Sequence, residues 1–467
     1  MSGHRRVANL SILAISATTL LAQATTSGQE RPKYNPVFRE RENWSTFLAP
    51  AEGGDLFDPI KHISLIQDDW LWVSFGGQVR LRLEAWEDFS TFENDDADET
   101  FLLTRVRAHA DIHAGEHLRF FFEGLGAHST EPMFRADGVL DVNSADLQQA
   151  FFDLKLPFAQ DSSLRLRGGR QELAFGKQRL VSALDWSNTR RTWEGVRGTL
   201  NVGHWAVDGL WTQFVPVEKY EFDTADAQHE FYGLYAAGPF WPLAGTNLDA
   251  YWLGRDRKDV VGGVGDLRHT LGSRLSGQIA HTGLDYDLEG GYQFGDRAAV
   301  GVEAYFAAAE VGYTFAAAYG KPRFFAGVDY ATGDDNTGDD EFNTFDQLFP
   351  LGHAYFGFID IIGRPNMLAY NAGVSFTPVA KWTVLVQGHW FDRAQDDAPL
   401  FNAGGSPIAG KAGEHHVGQE IDLLLKYQHD IHTQVLVGYS HFFVGDYFDL
   451  PGHDDIDFFY VSWEYTF

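Results

Sequence analysis

Residues 70–87 read WLWVSFGGQVRLRLEAWE, and the order of residue types in this stretch decides the fold. Val73, Phe75, Val79, Leu81 and Leu83 fall on one parity, while Ser74, Gln78, Arg80, Arg82 and Glu84 fall on the other. Period two with one apolar face is a β-strand. Its polar face carries too much charge for a dry core, so the apolar face needs an apolar solvent.

The same alternation recurs to the last residue. Segments lie near 101–113, 117–126, 146–156, 163–173, 191–202, 204–215, 229–237, 247–256, 267–277, 283–294, 302–315, 322–331, 368–377, 382–392, 417–428, 433–444 and 456–467, which with 70–87 makes eighteen. An even number suits a transmembrane barrel formed by one chain. Short links at 114–117, 157–163, 203, 377–381 and 429–433 alternate with long polar ones at 88–100, 127–145, 174–190, 216–228, 332–367, 393–416 and 445–455. Short periplasmic turns and long outer loops are the asymmetry expected of such a barrel. The link at 295–301 is shorter than that rule requires and leaves the count open by one hairpin. At the C-terminus Phe459, Val461, Trp463, Tyr465 and Phe467 form an apolar, aromatic face. It resembles the terminal signature that the outer-membrane barrel-assembly machinery reads, a buried sandwich strand being the alternative.

Arg5 and Arg6, an apolar run from Val7 to Leu21 and the triplet Ala22, Gln23, Ala24 have the order of a secretory signal cleaved after Ala24. Residues 25–69, rich in Pro, Glu, Arg and Asp, read as a periplasmic segment or small plug, and 70–467 as the barrel. The longest uncharged run, Phe231 to Leu248, is broken by Gly and Pro, whereas a spanning helix needs about 20 apolar residues. Aromatics reach 15% of the chain, yet mean hydropathy is negative. That pairing suits a wall with lipid on one side and water on the other. There is no cysteine, which removes disulfides and thiolate metal sites. The formal charge is −29, and loss of Arg5 and Arg6 leaves 34 basic against 65 acidic residues, hence −31. Such acidity argues against a nucleic-acid partner.

In hydrocarbon each backbone polar group needs a protein partner, so the sheet must close. The fold class expected is an all-β transmembrane antiparallel barrel of about 18 strands in a Gram-negative outer membrane, with lipid and lipopolysaccharide as partners. Trp205, Val207, Trp211, Phe324, Val328, Trp382, Val384 and Val386 then face lipid. The lumen parity carries Arg80, Arg82, Arg105, Arg107, Arg119, Arg165, Arg167 and Arg197 early, and Asp285, Asp287, Glu289, Asp329, Glu420, Asp422 and Glu464 late. The expectation is a guanidinium arc facing a carboxylate arc across an aqueous channel. Arginine suits a wall that handles carboxylates, because its planar fork binds them bidentately and stays charged. The alternative for any single arginine is a cross-strand pair with a neighbouring Asp or Glu.

Residues 169–199, GRQELAFGKQRLVSALDWSNTRRTWEGVRGT, and 342–366, FNTFDQLFPLGHAYFGFIDIIGRPN, resemble the alginate export family of outer-membrane proteins. GGQVRLRLE at 76–84 and EIDLLLKY at 420–427 agree with it, so the resemblance spans nearly the whole mature chain. It implies a monomeric eighteen-stranded channel with a basic constriction that conducts the anionic polysaccharide alginate. The residues it carries over are Arg80, Arg82, Arg165, Arg167, Gln171, Arg191 and Arg197. Arg170 has lipid parity unless Gly168 and Gly169 host a bulge that turns it inward. The carboxylate arc keeps a second reading open, a weakly selective nutrient-uptake porin.

Asp334, Asp335, Asp339, Asp340 and Glu341 bring together the hard oxygens calcium prefers. They lack EF-hand spacing, and a solvated acidic loop is the other reading. His415 and His416 are a weaker metal candidate in a loop. No cofactor is required by these readings. A barrel enzyme would need Ser, His and acid together, and no motif supplies them, so the chain reads as a non-enzyme. A TonB-dependent transporter would need a folded plug domain, for which the roughly 45 residues between Ala24 and Trp70 are too few.

Overall fold

A computed structural model describes residues 31–47, 54–89, 98–130, 140–260, 264–298, 300–336, 338–450 and 453–467; the signal peptide read at 1–24 lies outside them. The wall strands are β1 (Leu71–Glu87), β2 (Glu99–Ala114), β3 (Leu118–Ser129), β4 (Asn143–Ala159), β5 (Ser162–Gln171) and β6 (Thr192–Val202). They continue as β7 (Trp205–Val215), β8 (His229–Pro239), β9 (Thr246–Val260), β10 (Val264–Gln278), β11 (Leu284–Arg297) and β12 (Val300–Thr314). The last six are β13 (Arg323–Ala331), β14 (Met367–Phe376), β15 (Trp382–Arg393), β16 (His416–Gln428), β17 (Thr433–Val444) and β18 (Ile456–Thr466).

Each strand pairs antiparallel with its sequence neighbours, and β18 pairs with β1 from Gln78↔Thr466 to Glu87↔Asp457, closing an eighteen-stranded barrel. All eighteen alternating segments of the sequence are wall strands. The short link near 295–301 hides no hairpin, since β11 and β12 run in unbroken register from Leu284↔Tyr313 to Arg297↔Val300. Outward positions form the apolar belt: Leu81, Val106, Phe122, Phe152, Trp211, Phe324, Val328 and Val386 are all exposed. A soluble protein would not leave so large an apolar surface in water.

The two longest links with an apolar composition do not stay outside as solvated loops. Residues 172–191 and 343–366 fold into the lumen. Phe349 of the second is ringed by Trp193, Phe214, His229 and Phe231 at centroid distances of 5.1–5.5 Å. Leu173, Phe175, Leu180 and Val181 of the first join the same buried cluster. Phe356, Phe358, Ile359, Ile361 and Ile362 pack into another, against Leu385, Phe391, Phe442 and Phe458 of the wall. Each fully buried side chain of this size contributes roughly 1.5–3 kcal/mol, so the inward position is strongly favoured. An expectation of water throughout the lumen is corrected here: much of its loop-side half is dry.

The bulge left open at Gly168 and Gly169 does not form. The β4–β5 register runs continuously through Phe151↔Gly169 and Ala150↔Arg170, and the irregularity lies in β4, where Gln148 is extra between the pairs Glu123↔Gln149 and Gly124↔Leu147. Gly169 instead adopts φ +123°, where a Cβ would stand 2.3 Å from the Ala150 carbonyl, a position only glycine tolerates. Arg170 is nevertheless buried, held by Asp146 at 3.0 Å, Glu194 at 2.7 Å and the Asp223 carbonyl at 2.7 Å.

Residues 31–47 and 54–70 occupy the mouth at the short-turn rim. Arg39 Nη2 donates to the Phe467 carbonyl at 2.6 Å, Lys61 Nζ to the Phe75 carbonyl at 2.6 Å, and Phe57 stacks on Phe467 at 4.7 Å. Leu81→Arg would place a charge in the apolar belt while leaving the lumen untouched. We expect it to destabilise the barrel by about 2–4 kcal/mol, measured by guanidinium unfolding in lipid vesicles.

Candidate functional site

Alternation sends every second side chain of β1 and β2 inward, and the register puts Arg80 opposite Arg105. Like charges directly opposite one another repel, so this pair requires a counter-structure. Residues 185–188, in the inserted 172–191 link, provide it. Arg80 donates to the carbonyls of Asp185 (2.8 Å) and Ser187 (2.6 Å), and Arg105 to both carbonyls and to Asp185 Oδ1 at 2.9 Å. Asn188 Nδ2 ties the link to the Thr104 and Asp141 carbonyls.

Arg82 lies 4.1 Å above the Trp186 ring, donates to the Trp186 carbonyl at 2.6 Å and pairs with Glu84 at 2.7 Å. On its other side Trp186 stacks on His353 at 3.7 Å, and His353 on Phe358 at 4.6 Å. A continuous stack therefore joins the first inserted link to the second across the lumen.

The remaining expected residues follow the same wall. Arg107 donates to Glu123 at 2.9 Å and, at 3.4 Å, to the Pro36 and Val37 carbonyls of the N-terminal segment. Arg119 binds Asp111 at 2.7 Å and the Glu40 carbonyl at 2.8 Å. Arg167 binds Asp153 in two bonds of 2.7 and 2.8 Å, and Arg197, its register partner, binds Asp208 at 2.8 Å. Among the described residues Arg165 donates only to the Thr199 hydroxyl at 3.1 Å, and Arg191 to the Pro350 carbonyl at 2.7 Å. Gln171 is buried and makes two long bonds, 3.4 and 3.5 Å, to backbone carbonyls, so it is a wall residue rather than an exposed contact.

Three arginines of the lumen lie in links and had no strand parity to reveal them. Arg190 binds Glu172 at 2.6 Å, Asp185, and the Val37 carbonyl at 3.0 Å. Arg179 binds Asp287 at 2.6 Å and Glu289 at 3.0 Å, and Arg364 binds Asp329 at 2.8 Å. A usable signal existed: both links are too rich in Leu, Val, Phe and Trp for solvated loops. These arginines correct the expected field across the channel. Asp287, Glu289 and Asp329 are neutralised from the links, and Asp285 and Asp287 by Arg323 and Arg274 of the wall, whereas Glu464 lies beside the guanidinium arc, in register with Arg80. Glu420 and Asp422, both fully buried, accept instead from the Ile359 and Phe358 amides at 2.9 and 3.3 Å.

The acidic loop is split. Asp334 is buried while Asp335, Asp339, Asp340 and Glu341 are exposed. Among the described residues no group of three or more His, Asp or Glu side chains is gathered to hold a metal. His415 and His416 face different partners, Asp396 and Asp392, each at 2.8 Å.

The electrostatic centre of the site is Asp185. Burial would raise its carboxyl, but Arg105, Arg190 and Arg80 more than offset that and hold it well below the usual carboxylate range. A depressed folded value means its stabilisation is complete above about pH 4 and is lost only as pH falls through the folded value. Asp185→Asn would leave three guanidiniums without that anion, at a cost of about 2–3 kcal/mol given its partial exposure. We expect faster amide exchange across 182–190 at neutral pH, and closer agreement between variant and wild type in strong acid.

The alginate export family model matches residues 71–458. No curated protein matches the sequence. Among solved structures, Acinetobacter baumannii OccAB3 is similar with a TM-score of 0.58 at 12% identity, over 84% of this chain and 99% of that one. Acinetobacter baumannii OccAB2 gives 0.57 at 11% identity, over 86% and 99%. The outer membrane protein opdK from Pseudomonas aeruginosa gives 0.56 at 12%, over 84% and 98%. At such identities the likeness shows the fold.

Proposed function

Because this chain belongs to the alginate export family and forms an outer-membrane channel barrel, we propose that its cargo is an anionic, carboxylate-bearing saccharide. The observation that carries the reading is a set of lumen guanidiniums with neutral acceptors. Arg165 is held by a hydroxyl and Arg191 by a carbonyl, so neither is neutralised by a carboxylate at ion-pair distance among the described residues. They stand toward opposite ends of β5 and β6, one in the turn-side half and one at the last residue of the first inserted link, just before β6. A polyanion moving along this wall meets positive charge at both levels and can exchange a neutral oxygen for its own carboxylate. Charge-assisted bonds of that kind are roughly twice as strong as the neutral ones they replace.

The fit is to a chain rather than to a compact solute. Aromatic faces lie beside the guanidiniums, Phe151 3.5 Å from Arg167 and Phe175 5.2 Å from Arg197. Two guanidinium levels along one wall, Arg165 and Arg191, suit a repeating uronate better than a single charge. Net acidity of the whole chain does not oppose this, because the acidic residues of the lumen wall are largely engaged by arginines or amides.

Reconstitution in planar bilayers tests the reading. Ion current blocked by oligouronates and not by neutral oligosaccharides is the expected result, with an anion-preferring reversal potential in a KCl gradient. A cation preference would favour the nutrient-porin reading. Arg165→Gln should raise the oligouronate concentration for half-block about tenfold, the worth of one charge-assisted bond, with unchanged block by any neutral sugar.

A further inference from the structure

The N-terminal segment reaches the arginine wall with an acidic side chain that the wall does not need. Arg190 and Arg107 hold it by the Val37 and Pro36 carbonyls, Gln78 by the Pro36 carbonyl at 2.8 Å, and Arg119 by the Glu40 carbonyl at 2.8 Å. These anchors bring Glu40 up to Arg119, which with Arg167 beside it already has anions of its own in Asp111 and Asp153, and the carboxylate itself pairs with Arg41 of its own segment.

The Glu40 side chain is only 6% exposed, its Oε1 lies 3.4 Å from Arg41 Nε, and its Oε2 is buried with no hydrogen-bond partner among the described residues. Burial would raise this carboxyl, yet Arg41, Arg167 and Arg119 more than offset that and hold it below its usual range. A buried carboxylate with an unsatisfied oxygen is costly as a structural device. It is what a ligand carboxylate caught in a positive site looks like when it fits less well than the true ligand.

We propose that Glu40 is a built-in pseudo-ligand: its carboxylate occupies the place on the arginine wall that a carboxylate of the transported saccharide takes, so residues 31–47 and the polyanion compete for one site. The chemical class of the competitor rests on the reading under Proposed function. The segment's other ties to the arginines end on neutral carbonyls, which a guanidinium exchanges readily for a ligand oxygen. A polyanion arriving from the short-turn rim thus displaces the segment that covers its path, while a neutral solute has no means of doing so.

The full-length protein in planar bilayers decides the matter, with hexagalacturonate as probe and maltohexaose as uncharged control. Glu40→Gln should lower the hexagalacturonate concentration for half-block about tenfold, because the site is no longer occupied by a competitor. Glu40→Asp, which keeps the charge, should stay near wild type, and maltohexaose should act on none of them. In parallel, hexagalacturonate should speed tryptic cleavage at Arg39 and Arg41 of the wild-type protein, and maltohexaose should not. Equal block of wild type and Glu40→Gln, with cleavage unaffected, would overturn the pseudo-ligand and leave the channel reading standing. Absence of hexagalacturonate block in every variant would remove the carboxylate reading of the lumen, and the pseudo-ligand with it.

Discussion

An unpaired backbone amide or carbonyl in hydrocarbon costs several kcal/mol, and the rest of this molecule follows from that. The ladder has to return to its beginning, so the last strand, Ile456–Thr466, pairs with the first, Leu71–Glu87. Closure at eighteen strands fixes a circumference too large for wall side chains to fill. Something else must fill the interior, either water or another part of the chain. Here two links and the N-terminal segment enter it, and their apolar side chains find partners on lumen positions such as Tyr235, Leu253 and Phe306.

The charges of the wall are settled radially. Arg80 and Arg105 face each other across two strands, and no rearrangement within the sheet can separate them. Asp185 and two carbonyls of the first inserted link answer both at once. On the far side Asp329 is answered by Arg364 and Asp287 by Arg179, again from the links. The same arginines therefore position the links and shape the electrostatic field of the passage. Arg165 and Arg191 take a hydroxyl and a carbonyl instead of a carboxylate.

This dual use explains why the lumen arginines are so numerous in an acidic chain. Backbone carbonyls hold a guanidinium in place without cancelling it. The stack from Arg82 through Trp186 and His353 to Phe358 joins the two links to each other.

How much of this was legible without coordinates depends on the period of the pattern. Alternation from Trp70 to Phe467 located all eighteen strands and separated lipid-facing Trp211 and Phe324 from lumen-facing Arg80 and Arg167, because a strand has one dihedral repeat and two faces. It gave the right parity to Arg105, Arg107, Arg119, Arg165 and Arg197 for the same reason. It was silent on Arg179, Arg190 and Arg364, which lie in links with no period. It left Gly169 open as well, where the backbone uses a positive φ and no bulge. By itself, then, the sequence determined the closed barrel and the side each strand residue faces, since local sterics and the solvent on each face decide those. Only the tertiary structure decided what fills the barrel and which acceptor each arginine takes, because those outcomes depend on where irregular links settle, and contacts between residues far apart in the chain leave no periodic trace.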